Sequence, residues 1–343
     1  MLLAVRPFAF GLDPSLDVSQ YAHTAWKVRD GFVKGEIISI AQTPDGYLWL
    51  GTEFGLLRFD GVRAVPWQPP PDQHLPSDLI AGLLTSRDGT LWIGTDKGLA
   101  SWKNGKVTQY PELAGQLVAA LFEDREGKVW VGGFGIPTGR LCAIHNGSVL
   151  CRGEDGVLGH GVLGLYEDSK GNLWAGVVNG LWRWSPGPSN FYPMPGDNDS
   201  IRAFADDADG ALLVSNRTGV ERLVNGKFAN YALPAPLQKS QAEKLLRDRD
   251  GSLWIETRGQ GLVRIHQGRT DLFAQADGLS GNDVLNIFED REDNIWVATT
   301  DGLDRFRTFA VATLSVNQGL SSGPVVSVLA DKNGNVPSVP LAD

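Results

Sequence analysis

Five histidines, two cysteines and forty Asp and Glu residues are the side chains here that could catalyse, hold metal or cross-link. His23, His74, His145, His160 and His266 are scattered along the chain, and neither an H-x-H nor an H-x-x-E-H spacing occurs. Zinc and hydrolytic metal sites need such converging pairs. Asp207-Ala208-Asp209-Gly210 and Asp248-Arg249-Asp250-Gly251 resemble the start of a calcium loop. That loop, however, needs alternating oxygen ligands and a distal Glu. No serine-nucleophile motif is present. The expectation is therefore no metal, no cofactor and no catalytic residue.

Cys142 and Cys151 have a more definite geometry. They flank Ala143-Ile144-His145-Asn146-Gly147-Ser148-Val149-Leu150, and Asn-Gly between apolar runs signals a two-residue type I′ hairpin. With Asn146-Gly147 at the tip, His145 faces Ser148 and Cys142 faces Cys151. This is a non-hydrogen-bonded pair with Cα atoms about 4.5 Å apart, within disulfide range. A disulfide there implies an oxidising compartment; the alternative is a pair of packed thiols.

The elements that position these residues repeat. Trp49, Trp92, Trp130, Trp174, Leu213, Trp254 and Trp296 are anchors 38 to 44 residues apart. Most follow a tight turn such as Asp45-Gly46, Asp88-Gly89, Glu126-Gly127, Lys170-Gly171, Asp209-Gly210 or Asp250-Gly251. A period near 40 built from short strands marks propeller blades. Each unit reads as an inner strand A, the turn, an aromatic strand B, a short loop, strand C, then an Asn-Gly-type turn into strand D. The anchor Trp and the turn Asp read as structural: the ring buries about 150–250 Å², and the Asp accepts from backbone two residues on.

The expected fold is all-β: a seven-bladed β-propeller of four-stranded antiparallel blades, with the start of an eighth repeat at the C-terminus. Residues 1–19 are expected to be a signal-peptide remnant or flexible leader, 20–315 the propeller, and 316–343 a truncated eighth repeat and tail. Either Trp26, in an extra N-terminal strand D, or the segment Phe309 to Leu314 closes the ring. The eighth repeat runs Val325-Val326-Ser327-Val328 to Val336 and then places Pro337 where Trp is due. Proline there removes a ladder hydrogen bond. The net charge of −9 opposes nucleic-acid binding, and no apolar run spans a membrane.

The pattern V-x-x-[IL]-x-x-D-x-x-G-x-[LIV]-W-[IVL]-G-T-x-x-G-L-x-R, best seen in residues 37–58 and 284–305, resembles the two-component regulator propeller repeat. The resemblance covers about residues 20–335. It implies a periplasmic ligand-sensing region ahead of a membrane helix and an output domain, often a histidine kinase, in a receptor dimer. Many members carry about fourteen repeats. Here the second propeller, membrane helix and kinase motif are not seen, so a fragment or truncated reading frame of a longer sensor is expected. At repeat level the chain also resembles a propeller lyase acting on cyclic peptides, and its turns resemble those of sialidases.

Strands alternate in direction, so A–B and C–D turns share one face and the irregular B–C and D–A loops share the other, where recognition usually resides. The candidate ligand-binding residues on that mouth are Glu53, Phe54, Asp96, Lys97, Phe134, Asn179, Arg217, Arg258, Gln260 and Asp301. His74, His160 and Asn198-Asp199 join them from the D–A loops. Mixed acidic, basic and aromatic groups suit a small polar ligand, such as a sugar or oligosaccharide. The expected function is non-catalytic ligand sensing in a bacterial signalling receptor. A protein-interaction scaffold is the alternative, ahead of a lyase or glycan-processing enzyme.

Overall fold

The computed structural model describes residues 12–308 except 186, 195–198, 234–236, 238–241 and 243, together with the backbone of 325–328 and 338–340. Seven four-stranded antiparallel sheets form the blades of a propeller. Their inner strands are Ile37–Gln42, Ile80–Thr85, Leu117–Glu123, Val162–Glu167, Ala203–Asp206, Leu245–Arg247 and Val284–Glu289, defining blades 1 to 7. Strand B is buried along its whole length in blades 1 and 2 (Leu48–Thr52 and Leu91–Thr95), because its two faces pack on successive blades. This is why it reads as a continuous apolar run rather than an alternating one.

Small residues let neighbouring blades approach. A Cβ on Gly51 would lie 2.6 Å from Ile80, one on Gly94 2.1 Å from the Val118 carbonyl, and one on Gly176 2.3 Å from the Ile201 carbonyl. The Gly of the W-x-G-T sequence is thus fixed by the next blade and not by a turn. The turns have their own requirement: Asn146 and Gly147 take φ of 49° and 77°, and Asn104-Gly105 and Asn225-Gly226 repeat those values closely. Both central residues of a type I′ turn need positive φ.

The A–B turns do two jobs. The residue six before the anchor Trp accepts from its indole: Thr43 Oγ1 from Trp49 (2.8 Å), Asp124 Oδ2 from Trp130 (2.7 Å) and Asp290 Oδ2 from Trp296 (2.7 Å). The next residue donates its amide to the end of the following blade's strand A. Arg87 N reaches Glu123 Oε2 at 2.8 Å, Arg125 N reaches Glu167 Oε2 at 2.9 Å, and Arg291 N reaches Gln42 Oε1 at 2.8 Å. The last of these joins blade 7 to blade 1.

The ring closes through the N-terminus. Ala22–Lys27 is strand D of blade 7, with Ala22 opposite Arg307 and Trp26 opposite Leu303. The rival segment, Phe309 to Leu314, lies outside the described residues. His23 fixes the closure: it stacks on Phe306 (4.8 Å between ring centroids), and its Nε2 lies 2.7 Å from the buried Asp304 Oδ1.

Of the leader expected over residues 1–19, residues 1–11 lie outside the described residues; in the rest, Leu12 and Val18 are buried with Tyr21 in the core of blades 6 and 7, against Trp254, Phe273 and Phe306. The fully buried Arg264 guanidinium holds them, bonding Tyr21 Oη, the Leu16 carbonyl and Asp271. Arg269 ties Asp17 (3.1 Å) to the same Asp271 (2.8 Å). A buried cation needs such partners, and Leu16 and Tyr21 supply two of them.

Val325–Val328 and Ser338–Pro340 pair as a two-stranded sheet. Val325 faces Pro340, and a register shift separates it from the Ser327–Val339 pair, as between Val284 and Asn286 in blade 7. The eighth repeat therefore adopts the A–B register of a blade.

Candidate functional site

The loop face is built by the B–C loops and the D–A connections. Strand alternation puts every one of the ten candidate residues at the loop-face ends of strands B and C or between them. They are not gathered into one cluster; the structure brings them together in smaller groups.

Glu53 and Phe54 sit against the connection from blade 7 to blade 1. A Cβ on Gly35, which has φ of 77°, would lie 2.7 Å from the Phe54 ring and 2.8 Å from Glu53 Oε1. Glycine is what lets Phe54 fold over this connection. Lys34 Nζ lies 4.3 Å from the Phe54 ring centroid, a cation–π contact, while the ring is still 54% exposed. Phe54, Phe32, Trp67, His74 and Asp78 line a cavity of about 970 Å³ at blade 1. Its walls are mixed aromatic and polar.

Asn179 and Arg217, on blades 4 and 5, meet through Asp199. The Asn179 amide donates to the Asp199 carbonyl (2.6 Å) and the Arg217 amide to Asp199 Oδ1 (3.1 Å). Both side chains remain exposed. Asn198 lies outside the described residues. Phe134 packs on His160 at 6.0 Å between ring centroids. Asp301 borders a cavity of about 110 Å³ with Lys27, Arg29, Gln275 and Ser280. Lys97 and Arg258 are exposed at loop tips. Asp96 Oδ1 and Gln260 Oε1 are buried with no hydrogen-bond partner among the described residues.

Blade 6 departs from the other repeats at this face. Its B–C hairpin pairs Thr257 with Gly261, one residue longer than the Thr52–Gly55 hairpin of blade 1. Glu256, 2% exposed, occupies the strand position that Gly51, Gly94, Gly132 and Gly176 hold elsewhere. Sequence reading passed over Glu256, although a carboxylate replacing the repeat's Gly was visible in Trp254-Ile255-Glu256-Thr257. It also passed over Trp67 and Lys34, which lie outside the repeat pattern.

Cys142 and Cys151 face each other across the blade 3 hairpin, and their sulphurs are bonded at 1.98 Å with Cα atoms 4.0 Å apart. Among the described residues no helix is long and apolar enough to cross a membrane, which says nothing of β-barrel spans.

Fold and face together define the class: a seven-bladed β-propeller whose irregular loops gather on one side of the ring. Residues 31–54 and 278–301 match the sequence model described as "Two component regulator propeller". These segments lie in blades 1 and 7, the two repeats closest to the motif. No curated protein matches the chain. Among solved structures it is similar to the extracellular domain of the hybrid two component system BT3049 from B. thetaiotaomicron, with 19% identity and a TM-score of 0.71. The match covers 93% of this chain and 46% of that one. The corresponding domain of BT4673 from the same organism gives 18% identity and a TM-score of 0.67, over 93% of this chain and 44% of that one. The chain thus spans less than half the length of these extracellular domains. A streptogramin B lyase gives 15% identity and a TM-score of 0.66, over 85% of this chain and 99% of that one. At such identities the likeness is one of fold.

Proposed function

We propose that this chain is the ligand-sensing propeller of a two-component signalling receptor, working outside the cytoplasm and without catalysis. Its ligand is a small polar molecule such as a sugar or oligosaccharide, bound on the loop face. The observation that carries the reading is the 970 Å³ cavity at blade 1, which opens among loop-face residues in one of the two repeats that match the family. The extracellular placement of the similar domains supports the location, as does the Cys142–Cys151 disulfide. Sensing requires that the ligand bind two receptor states with different free energy. The ten loop-face residues are its candidate contacts, with Trp67 and Lys34 added.

The test is a thermal-shift and calorimetric screen of the full chain against neutral and acidic oligosaccharides. The expected result is a saturable rise in Tm with one glycan class that Phe54→Ala and Trp67→Ala reduce. A Tm insensitive to every glycan, in a protein that melts cooperatively, overturns the sugar reading. A metal-dependent loss of a cyclic peptide substrate would replace sensing with a lyase activity.

A further inference from the structure

The outer edge of blade 1 differs in form from the loop face. Strand D there is only Ala64–Pro66, and its outer side carries no partner strand among the described residues. The Trp67 amide donates inward to the Leu56 carbonyl at 2.8 Å, and the Asp60 amide donates to the Arg63 carbonyl at 3.3 Å. Residues 63, 65 and 67 therefore face strand C with their backbone groups. By the alternation of an antiparallel ladder, the Ala64 N–H and the Ala64 and Pro66 carbonyls face outward. Pro66 is tolerated because its missing N–H would also have pointed outward.

This edge is flanked by cavity on both sides. A second cavity of about 370 Å³ shares Pro66, Trp67 and Gln68 with the larger one, so the two make one trough along the edge from the loop face to the tight-turn face. Val65 lines it and is 58% exposed; nearby Val62 is 71% exposed. At the tight-turn end Arg58 stacks on Tyr47 (3.4 Å to the ring centroid) and pairs with Asp45. Arg63 stands beside them with no ion pair among the described residues. Asp60 Oδ1 accepts the amides of Val62 and Arg63 at 2.8 and 2.7 Å. The loop-face end carries both Lys34 and Asp78.

We infer that this trough is a docking site for an extended polypeptide segment that adds a fifth strand to blade 1. The segment sets an apolar side chain over Val65 and Trp67 and an acidic side chain at Arg63. Three features select that partner. Outward backbone groups on an edge strand are satisfied by another strand. The trough supplies pockets for its alternate side chains. An unpaired guanidinium at one end fixes its sign and direction. A six-residue extended segment spans roughly 20 Å.

The probe is the peptide acetyl-Asp-Thr-Val-Thr-Val-Thr-amide, whose Asp and Val side chains share one face, titrated into the full chain and followed by backbone amide NMR. Two control peptides carry Lys in place of Asp, or N-methyl groups on alternate amides. The expected result is saturable shifts confined to residues 34, 54 and 63–68, with binding abolished by N-methylation. Arg63→Glu should weaken the Asp peptide about fivefold or more and favour the Lys peptide instead, as charge complementarity requires. Shifts elsewhere, or equal binding of the N-methylated peptide, would overturn the inference. So would sedimentation showing a dimer that Val65→Asp dissolves while the peptide does not bind, which would give the edge to a second copy. Thermal melts of both variants verify folding. The peptide titration and the glycan screen are separate readouts, so either reading can fail without the other.

Discussion

Trp254 donates its indole N–H to Asp248 Oδ2 at 2.7 Å, and both side chains are buried between blades 6 and 7. The carboxylate also accepts the Ser252 amide, at 2.7 Å. One side chain thus closes the turn and satisfies the ring that fills the interblade space. In blade 5 Leu213 stands where the indole does elsewhere and has no N–H, and the equivalent Asp207 is engaged by Arg222 Nε at 3.0 Å instead.

Removing that acceptor should be costly. Asp248→Ala leaves a buried indole N–H unsatisfied, a loss of about 1–3 kcal/mol, with the turn's hydrogen bond lost in addition. Adding Trp254→Phe to Asp248→Ala should recover part of that cost, since the orphaned donor goes with it. A double-mutant cycle by urea unfolding checks this, and strict additivity would show that the pair does not interact.

The Arg264 network predicts a local effect as well as a global one. Arg264→Met strips Asp271 of its buried partner and releases Tyr21 and the Leu16 carbonyl. Breaking a buried pair from one side typically costs about 3–5 kcal/mol. Arg269 still reaches Asp271 at 2.8 Å, which places the expectation at the lower end. Hydrogen exchange should accelerate over residues 16–21 well before the inner strands respond.

Acid should act in two stages. Burial pushes the Glu289 carboxyl above the ordinary 4.5, helped by Asp248 and Asp293 and opposed by Arg249. Asp250 is likewise raised by burial and by the same two aspartates. Raised carboxyls favour the fold below their unfolded values, and this contribution is lost as pH rises through their folded values. Asp45 and Asp88 behave oppositely. Burial alone would raise them, but hydrogen bonds from Thr43 and Arg58, and from Lys103, Ser86 and Thr90, outweigh it and hold them below 3.8. Their contribution is present above that value and disappears as pH falls through their folded values. Urea midpoints should therefore rise slightly on acidification from neutrality and then fall below about pH 3.8. Glu289→Gln should flatten the first limb and Asp88→Asn the second.

The disulfide should matter locally. Cys142 and Cys151 are nine residues apart, and closing so short a loop stabilises by about 2–3 kcal/mol on the chain-entropy account. The Cys142→Ala, Cys151→Ala double variant should lose that much in urea unfolding while keeping the blade 3 register, readable as unchanged amide shifts at His145 and Ser148.

The ring, the four-strand blade and the Asn146-Gly147 hairpin were legible because each rests on local chemistry repeated at fixed spacing. The indole acceptor was missed because Thr43, Ser86 and Asp124 do the same work with different side chains. The eye settles instead on the acidic residue next to Gly. The docking of residues 12–21 was hidden because its anchor, Arg264, is 243 residues from Tyr21 and looks like every other strand C arginine. At the loop face, sequence located the face but not the grouping. Which loops converge depends on blade tilt and on single glycines such as Gly35, which admits Phe54.

The seam of the ring has a mechanical consequence. Ala22 and Arg307 are opposite one another at the same end of an antiparallel ladder. A pull between the segments leaving these two residues would load the rungs one after another, as a zipper is loaded, and not all together in shear. Once residues 12–21 have come away from Arg264, the seam should peel rung by rung, starting at Ala22 and reaching the Trp26–Leu303 rung last but one. The blades hold one another through buried side chains, whereas this seam is a ladder that force can open one rung at a time.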